Sequence, residues 1–125
     1  MNIWILSSGL LGIFTTLIHV FAGQTDPVRP FLKSELEPVP KATLLACWHL
    51  VSVTLLFSSM VLTYIGWYGL EALYIPTLFL GLLYVLFAMV FVVVGWYFFG
   101  NRVFIKLPQW ILLLPIGVLA SYGAI

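Results

Sequence analysis

Four long apolar segments, separated by short polar links, account for most of the chain. The segments cover residues 3–22, 42–65, 73–99 and 107–124. Each meets or approaches the roughly 20 apolar residues that an α-helix needs to cross a bilayer. The pattern therefore predicts an all-α polytopic integral membrane protein, built as a bundle of four transmembrane helices. We expect a single transmembrane domain over residues 1–125, with an ordered polar link at 23–41.

Composition supports the same class of protein. The chain is 63% hydrophobic and 7% charged, whereas about a quarter of the residues in an ordinary soluble domain are charged. Little polar sequence is left over for a soluble domain. The net charge of +1 gives no broad attraction to nucleic acid. The expected partners are the lipid bilayer and either further copies of the chain, as a homo-oligomer, or a larger membrane complex.

The basic residues are distributed unevenly between the links. All five Lys and Arg side chains lie in the first and third links, as Arg29, Lys33 and Lys41 and as Arg102 and Lys106. Basic residues close to the ends of membrane helices are retained in the cytoplasm. We therefore expect links 23–41 and 100–106 to be cytoplasmic and both termini to lie outside, with a bacterial inner membrane as the location.

Polar side chains recur at helical spacing within the apolar segments. Those expected to face the bundle interior are Ser8, Thr15, Ser52, Ser59, Thr63 and Tyr84. Polar groups inside a membrane turn toward neighbouring helices, where they mark substrate or proton pathways. The same spacing also suits packing, because small residues let helices approach and hydroxyls hydrogen-bond across the contact. The sequence leaves both interpretations open.

Two histidines, His19 and His49, lie on these polar faces at similar expected depths near the cytoplasmic edge. A shared site would bind a metal ion or move a proton, with Asp26 from the first link as a further ligand. A haem held by both histidines is another alternative, although packed helices only about 8–10 Å apart leave little room for a porphyrin. In the remaining interpretation both imidazoles are neutral and hydrogen-bonded inside the bundle. No ligand motif selects among a metal, a haem and no cofactor.

Three classes of function are compatible with these features. The first is a small inner-membrane binding or accessory subunit with a polar site around His19 and His49. The second is an oligomeric transporter or channel. The chain resembles the small multidrug-resistance transporters and the small fluoride channels in length and helix count. The multidrug transporters have a membrane-embedded Glu in their first helix, whereas the first helix of this chain has no carboxylate. The third is a lipid- or quinone-directed enzyme. No nucleophile elbow, phosphate loop or zinc-protease motif occurs, so we assign no catalytic residue and favour a non-enzymatic role.

Overall fold

Hydrophobic segments interrupted by proline and glycine give a purely helical structure, described here for residues 1–125 by a computed structural model. The helices are α1 (Ile3–Gly23), α2 (Arg29–Leu32), α3 (Pro38–Tyr68), α4 (Tyr74–Phe99), α5 (Val103–Lys106) and α6 (Trp110–Gly123). Single helical turns at Gln24–Val28, Glu71–Leu73 and Gly100–Arg102 join them. The all-α bundle predicted from the sequence is confirmed.

Three helical stretches are long and apolar enough to cross a membrane, namely Ile3–Leu32, Pro38–Tyr68 and Glu71–Lys106. The protein is therefore embedded in a membrane. The fourth helix, α6, is apolar but has only 14 residues. Residues 107–124 were predicted to be helical throughout, but α6 begins at Trp110. Proline at 108 disfavours helical geometry in the preceding residue, and Leu107 has φ −123° and ψ 79°.

The second long helix extends beyond the predicted segment 42–65 at both ends. It begins at Pro38 because Pro38 and Pro40 lie in its first turn, where a missing backbone N–H removes no helical hydrogen bond. It ends at Gly69, whose φ of 64° and ψ of 45° give the left-handed C-terminal cap that glycine favours. At 31 residues and about 1.5 Å per residue, α3 is about 46 Å long and must tilt or project beyond the hydrocarbon.

The link over residues 23–41 folds back against the start of α3. Asp26 leaves the helical conformation, with φ −153° and ψ 113°, so the chain changes direction after α1. The ammonium group of Lys41 then donates hydrogen bonds to the carbonyl oxygens of Leu32 (3.2 Å) and Ser34 (2.7 Å). These contacts tie the link to α3 close to the end of α1.

Helix packing is uneven around the bundle. Helix α1 packs against α3 and α6, and α4 packs against α6, whereas α3 and α4 make little close backbone contact. Glycine at position 81 lets α4 and α6 approach closely. A Cβ atom at this position would lie only 2.8 Å from the Gly117 carbonyl oxygen. Polar bonds also cross the interior, as where the Ser8 hydroxyl of α1 donates to the Ile116 carbonyl of α6 at 2.7 Å. The bundle therefore has one loosely closed side, between α3 and α4.

One residue closes the end of the bundle that lies opposite the basic links. The side-chain nitrogen of Asn2 donates to the Tyr74 hydroxyl (3.0 Å) and to the Gly123 carbonyl (2.7 Å). Its side-chain oxygen caps α1 by accepting from the first-turn N–H groups, and its backbone N–H donates to Gly66 at 2.7 Å. Asn2 thus joins all four long or apolar helices at this end.

Candidate functional site

A cavity of about 770 Å³ lies at the end of the bundle that carries the basic links. Helices α1, α3, α4 and α6 and the two links all contribute to its wall, and 12 of its 20 lining residues are hydrophobic. Small-molecule sites typically enclose about 300–1,000 Å³ and are lined mainly by apolar side chains with a few polar groups. The cavity has the size and lining of a binding site for a small, largely apolar molecule.

Polar groups lie at the link end of this cavity. They include the His19 imidazole from α1, the Asp26 carboxylate from the first link and the Gln109 amide ahead of α6. Asp26 and Gln109 are exposed, whereas His19 is half-buried. Thr15 and Thr54 add hydroxyls further from the links, and His19 and Asp26 are the two ionisable side chains of the lining.

The imidazole of His19 is held by an aromatic neighbour. Its ring stacks on the indole of Trp48, with centroids 4.0 Å apart and planes inclined by 18°. Gly23 makes this arrangement fit, because a Cβ there would collide with the Trp48 ring. The Nε2 atom of His19 is buried and has no hydrogen-bond partner. A buried polar atom without a partner costs about 1–3 kcal/mol.

The cavity has one exposed side between α3 and α4, which we take as its opening. Val51 on α3 and Val90 on α4 both line it, and their side chains are 45% and 58% exposed. Thr54, one turn further along α3, also lines the cavity and is exposed. This side is where α3 and α4 make little close backbone contact. A second exposed stretch lies at the link end, where Asp26 and Gln109 line the cavity.

Above the cavity, one hydrogen-bonded cluster joins α3 to α4. The Tyr84 side chain is 1% exposed, and its hydroxyl lies 2.7 Å from Ser58 Oγ and 3.4 Å from Ser59 Oγ. Phe87 packs against the Tyr84 ring with centroids 6.1 Å apart and also lines the cavity. This cluster forms the inner limit of the cavity.

The other predicted interior residues fall inside the bundle or at its edge. Ser8, Thr15 and Ser59 are buried, whereas Ser52 and Thr63 are half-buried. Most of these hydroxyls bond to carbonyls of their own helix: Thr15 donates to Leu11 at 2.8 Å and Thr63 to Ser59 at 2.8 Å. Such local bonds satisfy the hydroxyl without a partner from another helix. These bonds suit the packing interpretation, and a polar pathway along the same residues stays a prediction.

The two histidines occupy different surroundings. His49 is exposed and does not line the cavity, whereas its neighbour Trp48 faces His19. Successive side chains point about 100° apart around a helix of 3.6 residues per turn, and here Trp48 lines the cavity while His49 does not. No group of three or more His, Cys, Asp or Glu side chains could hold a metal ion. The structure brings His19 and Asp26 to one cavity and leaves His49 outside it. A metal or haem shared by the histidines stays a prediction.

The sequence did not indicate that Trp48 and Ser58 belong to this region. Ser58 lies one helical turn from Thr54 and two turns from Val51, so helical spacing could have placed it on the cavity face of α3. Nothing in the sequence pairs Trp48 with His19, and only the position of α1 reveals that the two rings face each other. The groups that line the cavity, an imidazole, a carboxylate and an amide beside an apolar wall, can hold a small molecule through apolar contacts and hydrogen bonds. No family model, curated protein or solved structure matches this chain.

Proposed function

We propose that this protein is a small membrane-embedded binding protein, or the ligand-binding accessory subunit of a larger assembly, that holds an amphipathic molecule. The observation that carries the proposal is the cavity beside His19, with its apolar wall and its polar link end. The apolar part of the ligand lies against Leu55, Phe87 and Leu112. Its head group lies at the level of His19 and Asp26.

The location of the opening supports a ligand that is dissolved in the membrane. Val51 and Val90 flank a gap that faces lipid, so a molecule in the bilayer reaches the cavity without crossing the polar links. A water-soluble ligand would gain little from this arrangement. The half of the bundle beyond Tyr84 is filled by side chains and closed by Asn2, which favours binding over conduction by a single copy of the chain.

The distribution of charge supports the orientation of the site. We place links 23–41 and 100–106 in the cytoplasm and both termini outside, in a bacterial inner membrane, because basic residues flanking membrane helices are retained inside. Every Lys and Arg lies in these two links. The cavity then opens into the cytoplasmic half of the bilayer.

Photolabelling tests the proposal. The probe is a dodecanol that carries a diazirine in its chain, added at low mole fraction to vesicles of phosphatidylcholine that contain the protein. We expect peptide mapping to place most of the label on cavity residues such as Phe91 and Leu112. Label spread evenly over exposed residues of α3 and α4 would contradict the proposal.

A matched pair of variants sharpens this experiment. Val51→Trp places an indole in the opening, whereas Val53→Trp adds the same group to a position on α3 that is 64% exposed and does not line the cavity. We expect cavity labelling to fall at least about fivefold in Val51→Trp, since an occupied opening excludes the probe from its apolar contacts. Labelling in Val53→Trp should stay within about twofold of the unmodified protein, as expected for a surface substitution.

A further inference from the structure

The charged residues of this chain are arranged in a way that selects the head group of the ligand. Five cations lie in the two links that border the cavity, yet none of the 20 lining residues is Lys or Arg. The one lining residue that carries a full charge is Asp26. From this arrangement we infer that the ligand is a lipophilic amine or another amphiphile with a cationic head group that donates hydrogen bonds. The inference rests on the binding function proposed above.

Anionic amphiphiles find no cationic side chain in the lining of this cavity. A phosphate or carboxylate head group is recognised by Arg, Lys or a set of backbone N–H groups at a helix start. The cavity offers such a head group no cation, and it places the Asp26 carboxylate at the polar end. An anionic head group would lie beside a like charge, so the site discriminates against it as well as lacking attraction for it.

Cationic amphiphiles find several suitable groups. An ammonium group donates up to three hydrogen bonds, and the Asp26 carboxylate and the Gln109 side-chain carbonyl are acceptors at the polar end. The His19 Nε2 atom adds a third acceptor in the tautomer that protonates Nδ1. It is covered by its neighbours, so it pairs only when the imidazole turns away from Trp48. The indole of Trp48 also lines this end, and tryptophan is the aromatic residue that best attracts a cation.

Competition between two probes of equal chain length tests the inference. Dodecylamine and dodecanoate are added at equal mole fraction in phosphatidylcholine vesicles at pH 7.5, and each competes with the diazirine alcohol for labelling of the cavity. We expect dodecylamine to compete about tenfold better. Asp26 attracts the ammonium group of dodecylamine and repels the carboxylate of dodecanoate, so both effects favour the amine. Each charge pair with an exposed group changes the affinity by up to a few-fold.

Two variants assign the preference to one carboxylate. Asp26→Asn keeps the shape of the side chain and removes its charge, so the preference for dodecylamine should fall to about twofold or less. Glu37→Gln removes an exposed carboxylate of the same link that does not line the cavity, and it should leave the preference unchanged. An unchanged preference in both variants would show that the vesicle surface selects the amine, and an equal loss in both would show that the overall charge of the link does; either result contradicts the inference.

The outcomes separate this inference from the proposed function. If dodecanoate competes as well as dodecylamine, the head-group selection is wrong, while labelling of the cavity by the alcohol still supports the binding function. If neither competes although the alcohol labels the cavity, the inference also fails and a neutral head group is selected. If the alcohol itself does not label the cavity, the proposed function fails and the inference falls with it.

Discussion

At the residue scale, the site depends on pairs of neighbours with different roles. Trp48 faces His19 while His49 points away, and Ser58 meets Tyr84 beside Ser59. Trp48 and His49 differ in whether they line the cavity, and Ser58 and Ser59 differ in their distance from the Tyr84 hydroxyl, 2.7 and 3.4 Å. A substitution at one member of a pair should therefore have consequences that the same substitution at the other member lacks.

The first residue-scale prediction concerns the histidines. His19→Ala should weaken the competition of dodecylamine against the diazirine alcohol by roughly threefold to tenfold, the equivalent of one hydrogen bond. His49→Ala should change it by less than about twofold, since exposed side chains away from a site rarely matter. If the two histidines formed one site, either loss would cost nearly as much as both. Equal, non-additive losses would restore the shared site expected from the sequence.

The second residue-scale prediction concerns the hydrogen-bonded cluster around Tyr84. Tyr84→Phe removes the hydroxyl that lies against Ser58 and Ser59, and the free energy of unfolding should fall by about 0.5–1.5 kcal/mol. Reversible unfolding in mixed detergent micelles measures this loss. Tyr97→Phe is the control, because the Tyr97 side chain is 84% exposed. Equal stability of the two variants would argue against the hydrogen bond.

At the element scale, the hydropathy pattern predicted which segments form helices because a membrane-spanning helix must be apolar along its whole length. It also predicted that Tyr84 faces inward, since a hydroxyl in lipid would lack a partner. The pattern could not predict the gap between α3 and α4. The polar side chains mark one interior face on each helix, but the remaining faces are all apolar, so periodicity does not show where two neighbouring helices lie apart. The cavity and the role of Trp48 depend on that gap.

The contact between α4 and α6 gives a prediction at this scale. Gly81→Ala should lower the free energy of unfolding by about 1–3 kcal/mol, because the added methyl meets the Gly117 carbonyl at 2.8 Å and overpacks the contact. Leu82→Ala, at a neighbouring position that is 46% exposed, should stay within about 0.5 kcal/mol. The same unfolding measurement compares them, and a neutral Gly81→Ala would show that the two helices are further apart.

At the scale of the whole molecule, the orientation in the membrane decides which side the cavity serves. Single cysteines are introduced in a Cys47→Ala background, because Cys47 is the one native thiol. We expect Lys33→Cys and Asn101→Cys to react with an impermeant maleimide only from the cytoplasmic side, and Glu71→Cys only from outside. All three positions are exposed. Cytoplasmic labelling at position 71 would reverse the topology.

The shortness of α6 has a consequence for the bilayer itself. Its 14 residues span about 21 Å, some 9 Å less than the roughly 30 Å of hydrocarbon in a typical bilayer. Local thinning of the membrane is one way to relieve such a mismatch. Thinning beside α6 would bring lipid head groups and water toward Leu107 and Gln109, which line the cavity. A ligand held there would then have its tail at the depth of acyl chains and a hydrated head group, as a lipid does.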